Sequence, residues 1–196
     1  MFHSFAQKRI ERLWDATELR TLEIVSDEVN SIRIASGNKD KIQLIVRIEG
    51  EHSEQVVLQV SEAQKILSIN TGRTPYFKAQ NDKLAAHKVL SIEMEVLIPA
   101  SITLGIESQL ASVYTKGPIQ NLVMDLVEGT ILLDEFEGEA SLYTKNGSIT
   151  VHAMPGVTAI ARSLEGQVEN ELTSNGKYEL AAWSVNGDIS LLKSPQ

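Results

Sequence analysis

Cysteine is absent from the 196-residue sequence, which excludes a disulfide framework and a thiolate metal site. Long apolar runs are absent as well. The longest mostly apolar stretch, residues 96–106, contains Pro99 and falls well short of the ~20 residues that a membrane-spanning helix needs. The first 20 residues hold no apolar segment of the kind found in secretory signals. As written, the sequence therefore predicts no transmembrane segment, no visible export signal and a cytoplasmic location.

Basic charge is scarce, and reaction motifs are missing. The 26 acidic residues outnumber the 18 basic ones, and the net charge is −8, which disfavours nucleic acid and anionic membranes as partners. No G-x-S-x-G elbow and no phosphate-binding P-loop occurs. None of the four histidines forms a pair at a metal-ligand spacing. We therefore expect no cofactor, no metal and no established catalytic set.

Alternation of apolar and polar residues dominates the first half. In the segment KIQLIVRIE, the side chains of Ile42, Leu44, Val46 and Ile48 fall on one face, which is the period of a half-buried strand. Similar runs between residues 22 and 99 predict about six strands, mostly antiparallel. Residues 2–14 fit either a short helix or a first strand. We expect one all-β domain over residues 1–196, with a strand-rich part at 1–110 and a repetitive part at 111–196.

The repetitive part is marked by regularly spaced glycines. One series follows Asn or Glu and precedes x-Ile or x-Val, with a period of 18 to 21 residues, and a second series is interleaved with it. Self-similarity of this length is typical of a solenoid, in which each repeat packs on its neighbours. The first series comprises Gly129, Gly147, Gly166 and Gly187, and the second comprises Gly138, Gly156 and Gly176.

Two interpretations of the glycine corners remain open. A β-solenoid, either a right-handed parallel β-helix or a β-roll, places Gly147 in a positive-φ corner. Ile149 then points inward and stacks on the equivalent residues of other repeats, while Ser148 faces solvent. An antiparallel meander is the rival, because Asn-Gly is also a strong hairpin signal. The two-series period favours the solenoid. The expected stack contains Ile131, Ile149, Val168 and Ile189.

The units YTKNGSITV and LASVYTKG, together with the preceding strand pattern SIEMEVLIP, resemble a bacterial family of adhesin-like β-helix domains of unknown function, of the candidate autotransporter adhesin type. The resemblance covers most of the chain from about residue 20. It implies a non-catalytic binding or scaffold module, often associated with the cell envelope. It implies no catalytic residues.

An acidic cluster is the one group of carboxylates with enzymatic possibilities. Some β-helix enzymes cleave polysaccharides with acid pairs or Ca²⁺ on one face. The alternative function is therefore a carbohydrate lyase or hydrolase. On a single strand, Glu135, Glu137 and Glu139 would share one face. A solvated strand edge explains the cluster equally well. The cluster consists of Asp134, Glu135, Glu137 and Glu139.

The longest stretch without strand alternation is residues 71–89. In this stretch the sequence combines lysine and arginine residues with Tyr76 and Phe77. Long loops often carry function, and Lys83, His87 and Lys88 are the candidate ligand-binding residues in this stretch. A connector that caps one end of the solenoid is the competing interpretation. Carbohydrate or another protein is the expected partner, and an open solenoid end also allows homo-oligomers.

Overall fold

A computed structural model describes residues 8–37, 40–50, 53–73, 90–172 and 175–195. The described residues form β-strands, turns and one short 3-10 helix, Ser53–Gln55, with no α-helix. The predicted all-β class is confirmed. None of the helical structure in this part of the chain is long and apolar enough to cross a membrane.

The described residues up to Pro99 form seven strands, and the first of them, Lys8–Asp15, overlaps the ambiguous segment 2–14. Six strands follow between Thr21 and Pro99, as the alternation predicts. The seven are β1 Lys8–Asp15, β2 Thr21–Ser26, β3 Ser31–Gly37, β4 Lys41–Gly50, β5 Val56–Ala63, β6 Ile66–Arg73 and β7 Leu90–Pro99.

Ten further strands follow in the described residues, separated mostly by brief corners. They are β8 Thr103–Ser108, β9 Ser112–Lys116, β10 Asn121–Glu128, β11 Ile131–Phe136, β12 Glu139–Asn146, β13 Ile149–Ala153, β14 Val157–Ser163, β15 Val168–Asn170, β16 Tyr178–Asn186 and β17 Ile189–Lys193.

The seventeen described strands make two mixed sheets. Sheet A has the order β1-β4-β7-β3-β9-β11-β13-β17-β15, and sheet B has the order β14-β16-β12-β10-β8-β2-β6-β5. From β8 onward, successive strands alternate between sheet B and sheet A, and all their pairings are parallel. The last two strand pairs in the sequence, β14 with β15 and β16 with β17, exchange places. Strand β14 lies outside β16 at the edge of sheet B, and β15 lies outside β17 at the edge of sheet A.

The N-terminal strands are mixed, which corrects the prediction of a mostly antiparallel set. Antiparallel pairing joins β1 to β4, β4 to β7 and β5 to β6. Strand β2 instead pairs in parallel with β6 and β8, and strand β3 pairs in parallel with β7 and β9. Alternation records only which face of a strand is buried, so it does not distinguish the two directions.

The core lies between the sheets and is apolar. Ile42, Leu44, Val46 and Ile48 of β4 are all buried, as their spacing predicts. A contiguous cluster of buried side chains runs from Ala16 near β1 to Leu191 in β17. Strands of both halves therefore contribute to the same hydrophobic core.

The Asn-Gly sites are corners between sheets, because β12 and β13 on either side of Asn146-Gly147 belong to different sheets. The hairpin interpretation of this dipeptide is therefore wrong. The prediction of a positive φ at Gly147 is wrong too, since that conformation is found at Gly129 and Gly138 but not at Gly147. A side chain at Gly147 would instead overlap the carbonyl oxygen of Gly129 in the adjacent repeat. Glycine is needed there for close packing.

Three of the four residues in the predicted stack are fully buried and are neighbours in register: Ile131, Ile149 and Ile189. Val168 pairs with Ile189 but is 44% exposed. The prediction that Val168 joins the buried stack is wrong, because the exchange of the last two strand pairs puts β15 at the edge of sheet A. Ser148, expected to face solvent, is half-buried.

Side chains bridge the two sheets at both ends of the molecule. Lys8 Nζ of β1 donates to the carbonyl of Val56 in β5 (3.0 Å), and Asn170 Nδ2 of β15 donates to the carbonyl of Ala159 in β14 (3.0 Å). Such contacts, and charges on the inner side of an edge strand, oppose strand addition. Self-association through the ends remains a prediction, and these features weigh against it.

Candidate functional site

A row of outward-facing side chains crosses sheet B at the same level of six adjacent strands. We call it the aromatic row. Tyr143 of β12 lies beside Trp183 of β16, and Trp183 lies beside Arg162 of β14. Trp183 is 46% exposed. In strand order, the row contains Val25, Glu107, Asp125, Tyr143, Trp183 and Arg162.

The orientation of the aromatic row follows from the hydroxyl residues next to it. Thr144 and Ser184 are buried, and their side chains donate to the carbonyls of Gly129 (3.2 Å) and Gly147 (3.0 Å). Because consecutive residues of a strand face opposite sides, burying these hydroxyls turns Tyr143 and Trp183 outward. The repeated order of aromatic, hydroxyl, any residue, Asn and Gly thus fixes both a corner and an exposed aromatic side chain.

A groove of about 480 Å³ lies beside the aromatic row on the same face. We call it the sheet B groove. Ala181, in its floor, is two residues before Trp183, a separation of ~6.6 Å along a strand. Strands β10, β12, β14 and β16 each contribute to it. Its polar or exposed lining residues include Asn121, Glu139, Ser141, Thr158, Ile160 and Glu179.

The electrostatic character of the sheet B groove is acidic. Glu139 and Glu179 are both exposed at its lining, which includes no lysine or arginine among the described residues. Arg162, in the neighbouring aromatic row, lies beside Trp183 in register. Asn121, Ser141 and Thr158 can both donate and accept hydrogen bonds. The groove can therefore bind a ligand rich in hydroxyl groups and does not favour an anion.

The acidic cluster has a different geometry from the one predicted. Asp134 and Glu135 lie in β11 of sheet A, whereas Glu139 begins β12 of sheet B after the corner at Gly138, whose φ is +149°. The prediction that Glu135, Glu137 and Glu139 share one face is therefore wrong. Their sequence alternates as a strand does, but the chain crosses between sheets in the middle of it.

Asp134 belongs instead to a network on the outer face of sheet A. Its carboxylate lies 3.3 Å from Lys116 Nζ, 3.4 Å from the Tyr114 hydroxyl and 3.6 Å from His152 Nδ1. Lys116 also contacts Glu135 at 3.0 Å. Hydrogen bonds to Glu135 and Asp134 raise the pKa of the Lys116 ammonium. Glu135 lies at a bulge with φ +52°, so this network holds an irregular strand in place.

The sheet A network offers no evident catalytic arrangement. Lys116 forms ion pairs with the carboxylates of both Asp134 and Glu135. Neither carboxylate is therefore left as a free general base. No group of three or more acidic or histidine side chains in the described part of the chain could hold a metal ion. The enzyme alternative, with Asp134, Glu135 and Glu137 as acid and base, has no support in this geometry.

A second groove of about 360 Å³ lies on the outer face of sheet A. Ile45, Leu97 and Tyr114 line it, with Arg33 and Glu95 among the charged groups. Arg47 binds Glu95 through two hydrogen bonds of 2.6 and 3.3 Å. This hydrogen bonding lowers the pKa of the Glu95 carboxyl. The walls of this groove are thus held by ion pairs within the sheet.

The ligand-binding candidates Lys83, His87 and Lys88 lie outside the described residues. Of the segment 71–89, the structure describes only the end of β6, up to Arg73. Sequence reasoning missed Tyr143 and Trp183 as surface residues. The signal was present in the two matching units YTKNG and WSVNG, where the aromatic residue precedes a hydroxyl residue that becomes buried.

Comparisons with known proteins give fold similarity and no sequence match. No family model and no curated protein matches the sequence. A crystal structure of a candidate cell adhesion protein from Clostridium sporogenes is similar, with a TM-score of 0.66 and 16% sequence identity over 96% of this chain and all of the other. At that identity the likeness shows the fold alone. A candidate adhesin from Bacteroides fragilis, at 13% identity over 94% of this chain and 97% of the other, has a TM-score of only 0.41.

Proposed function

We propose that the chain is a non-catalytic, adhesin-like binding module built as a single β-solenoid domain, and that it binds its ligand on the outer face of sheet B. The observation that carries this proposal is the aromatic row beside the sheet B groove. Trp183 is nearly half exposed there, although burying a tryptophan is strongly favourable. Exposed aromatic residues next to a groove are typical of binding surfaces.

The interpretation as a β-solenoid rests on the strand pairing after β8. Ile131 lies beside Ile149 and Ile149 beside Ile189 in parallel register, so the chain returns each inward side chain next to its counterpart. Glycine corners recur at the same places, as solenoid repeats require. In such an architecture the outer faces are free to vary while the inner ones are fixed by packing. Binding residues are therefore expected on the outside.

The adhesin-like role is supported by the similar fold of the Clostridium sporogenes protein, whose name refers to cell adhesion. A non-catalytic role is also consistent with the ion pairs on sheet A, because Lys116 occupies the carboxylates of both Asp134 and Glu135. An adhesin-like role requires that the binding face is displayed outside the cell. Location at the cell envelope is accordingly part of the proposal, and fractionation of the native host tests it.

The experiment is a retention assay on a panel of immobilised polysaccharides, glycoproteins and unglycosylated proteins, combined with an assay for released products. We expect saturable retention on at least one member and no product. Turnover that is lost when Asp134, Glu135 and Glu137 are replaced together by alanine would overturn the proposal. Retention on no member of the panel would also count against it.

A further inference from the structure

We infer that the ligand of the sheet B face is a neutral glycan that lies across the strands, with sugar rings stacked on Trp183 and Tyr143. This inference rests on the proposed function and names the ligand class of that site. It depends on three features: the spacing of the aromatic pair, the charge of the groove, and the hydrogen-bonding groups at the groove wall.

The spacing of the aromatic pair suits a polymer of cyclic units. Tyr143 and Trp183 are direct neighbours in parallel register, so their backbones are ~4.8 Å apart. That step is close to the length that one pyranose adds to an extended glycan. Pyranose rings present an apolar C–H face, which packs on an aromatic ring while the hydroxyl groups at its rim remain available for hydrogen bonds. A glycan running from β12 to β16 would meet one aromatic side chain on each strand.

The charge of the face selects against anionic glycans. Asp125 and Glu107 extend the aromatic row, and Glu139 and Glu179 line the sheet B groove, so these four carboxylates outnumber Arg162, the one cation of the row. A sulfated or uronic-acid polymer would place its own negative charges beside these carboxylates, which is unfavourable. A neutral sugar instead donates hydroxyl protons to them. Hydrogen bonds to charged groups are the stronger kind.

The groove adjoining the aromatic row supplies further partners for hydroxyl groups. Asn121, Ser141 and Thr158 come from three different strands, so their polar atoms are spread in the direction that a glycan crossing the strands would take. The volume of about 480 Å³ lies within the range of small-ligand sites.

Calorimetry with neutral and anionic polysaccharides tests the inference. The neutral probes are soluble β-glucan, galactomannan and arabinogalactan, and the anionic ones are alginate and heparin. We expect binding of at least one neutral probe and none of the anionic ones. Trp183→Ala should weaken the binding at least ~10-fold, as expected of a contact at the centre of an interface. Leu13→Ala is the control, because Leu13 is an exposed apolar side chain in β1 at the far edge of sheet A, and it should change the affinity less than ~2-fold.

The double variant Glu139→Gln and Glu179→Gln separates charge from stacking. This double variant should bind alginate more tightly than the parent protein does. Replacing Trp183 by alanine in the double variant should still weaken the binding. If the parent protein binds an unglycosylated protein and no glycan, the glycan inference fails while the proposed function stands. If it cleaves a glycan, the proposed function fails. If a glycan binds and Trp183→Ala leaves the affinity unchanged, the inferred site is wrong.

Discussion

Gly147→Ala tests whether adjacent repeats touch through their glycine corners. The Gly147 N–H donates to the carbonyl of Asn186 (3.1 Å), and its carbonyl accepts the Ser184 hydroxyl (3.0 Å). A methyl group added at Gly147 would overlap the carbonyl oxygen of Gly129. These bonds hold the corner from the other side, so the backbone cannot shift freely away from the clash. We expect a loss of about 1–3 kcal/mol in the free energy of unfolding, the usual cost of overpacking.

Two other glycines separate this steric cost from backbone strain. Gly156 has a φ of +97° but open space where a side chain would stand. Gly156→Ala should therefore cost about 1–2 kcal/mol through conformation alone. Gly72 has neither a neighbour within 4 Å nor a positive φ. Gly72→Ala should stabilise the protein by about 0.4–1 kcal/mol, because alanine reduces the entropy of the unfolded chain.

Urea unfolding of the three variants, followed by circular dichroism, measures these differences against the parent protein. The order of stability should be Gly72→Ala highest, with Gly147→Ala and Gly156→Ala both below the parent. If Gly147→Ala proves as stable as Gly72→Ala, the corners of adjacent repeats are not in contact. Close packing between repeats would then be refuted as the cause of the glycine period.

Three further predictions use the same unfolding assay. Ile149→Ala should cost about 2–5 kcal/mol because it removes fully buried methyl groups, whereas Ser148→Ala beside it should cost less than about 0.5 kcal/mol; equal losses would reverse the assignment of the inner face. Thr115→Val should stabilise by about 1 kcal/mol, since the buried Thr115 hydroxyl has no hydrogen-bond partner in the described part of the chain; a loss of stability would contradict this. Hydrogen bonding to Arg47 lowers the pKa of Glu95 below its ordinary 4.5, so the pair stabilises the fold above that pH, and this contribution is lost as the pH falls through the depressed pKa. Glu95→Gln should accordingly be less stable than the parent at neutral pH and approach it in acid; a gap that stays constant across this range would exclude the ion pair as its cause.

The alternation of apolar residues is sufficient to predict the strands and the core face of β4, because burying one side of a strand leaves a period of two. It cannot predict strand direction or the turn at Gln64 and Lys65, where two residues other than glycine adopt positive φ. At Gly147 the glycine correctly indicates a corner, but the physical reason differs from the predicted one. Close approach of a neighbouring chain and a left-handed φ both demand glycine, and the sequence does not distinguish them.

The position of Val168 shows a second kind of limit. Its spacing from Ile149 and Ile189 is that of a regular repeat, and this period is the same whichever of the last two strand pairs lies outside. Only the sheet order, with β15 at the edge, accounts for its exposure. The candidate site was missed for a related reason. Trp183 is a surface residue because Ser184 is a buried one, and that hydroxyl is buried because it bonds the carbonyl of Gly147 in the neighbouring repeat.

The most direct test of the glycan site is the fluorescence of Trp183 during titration with the neutral polysaccharide that binds in calorimetry. The protein has two tryptophans, and Trp14 lies in β1 at the far edge of the other sheet. In the Trp14→Phe variant, all tryptophan emission therefore comes from Trp183. We expect a saturable change in emission with the same midpoint as the calorimetric titration. Calorimetric binding with unchanged emission from Trp183 would contradict the inferred site.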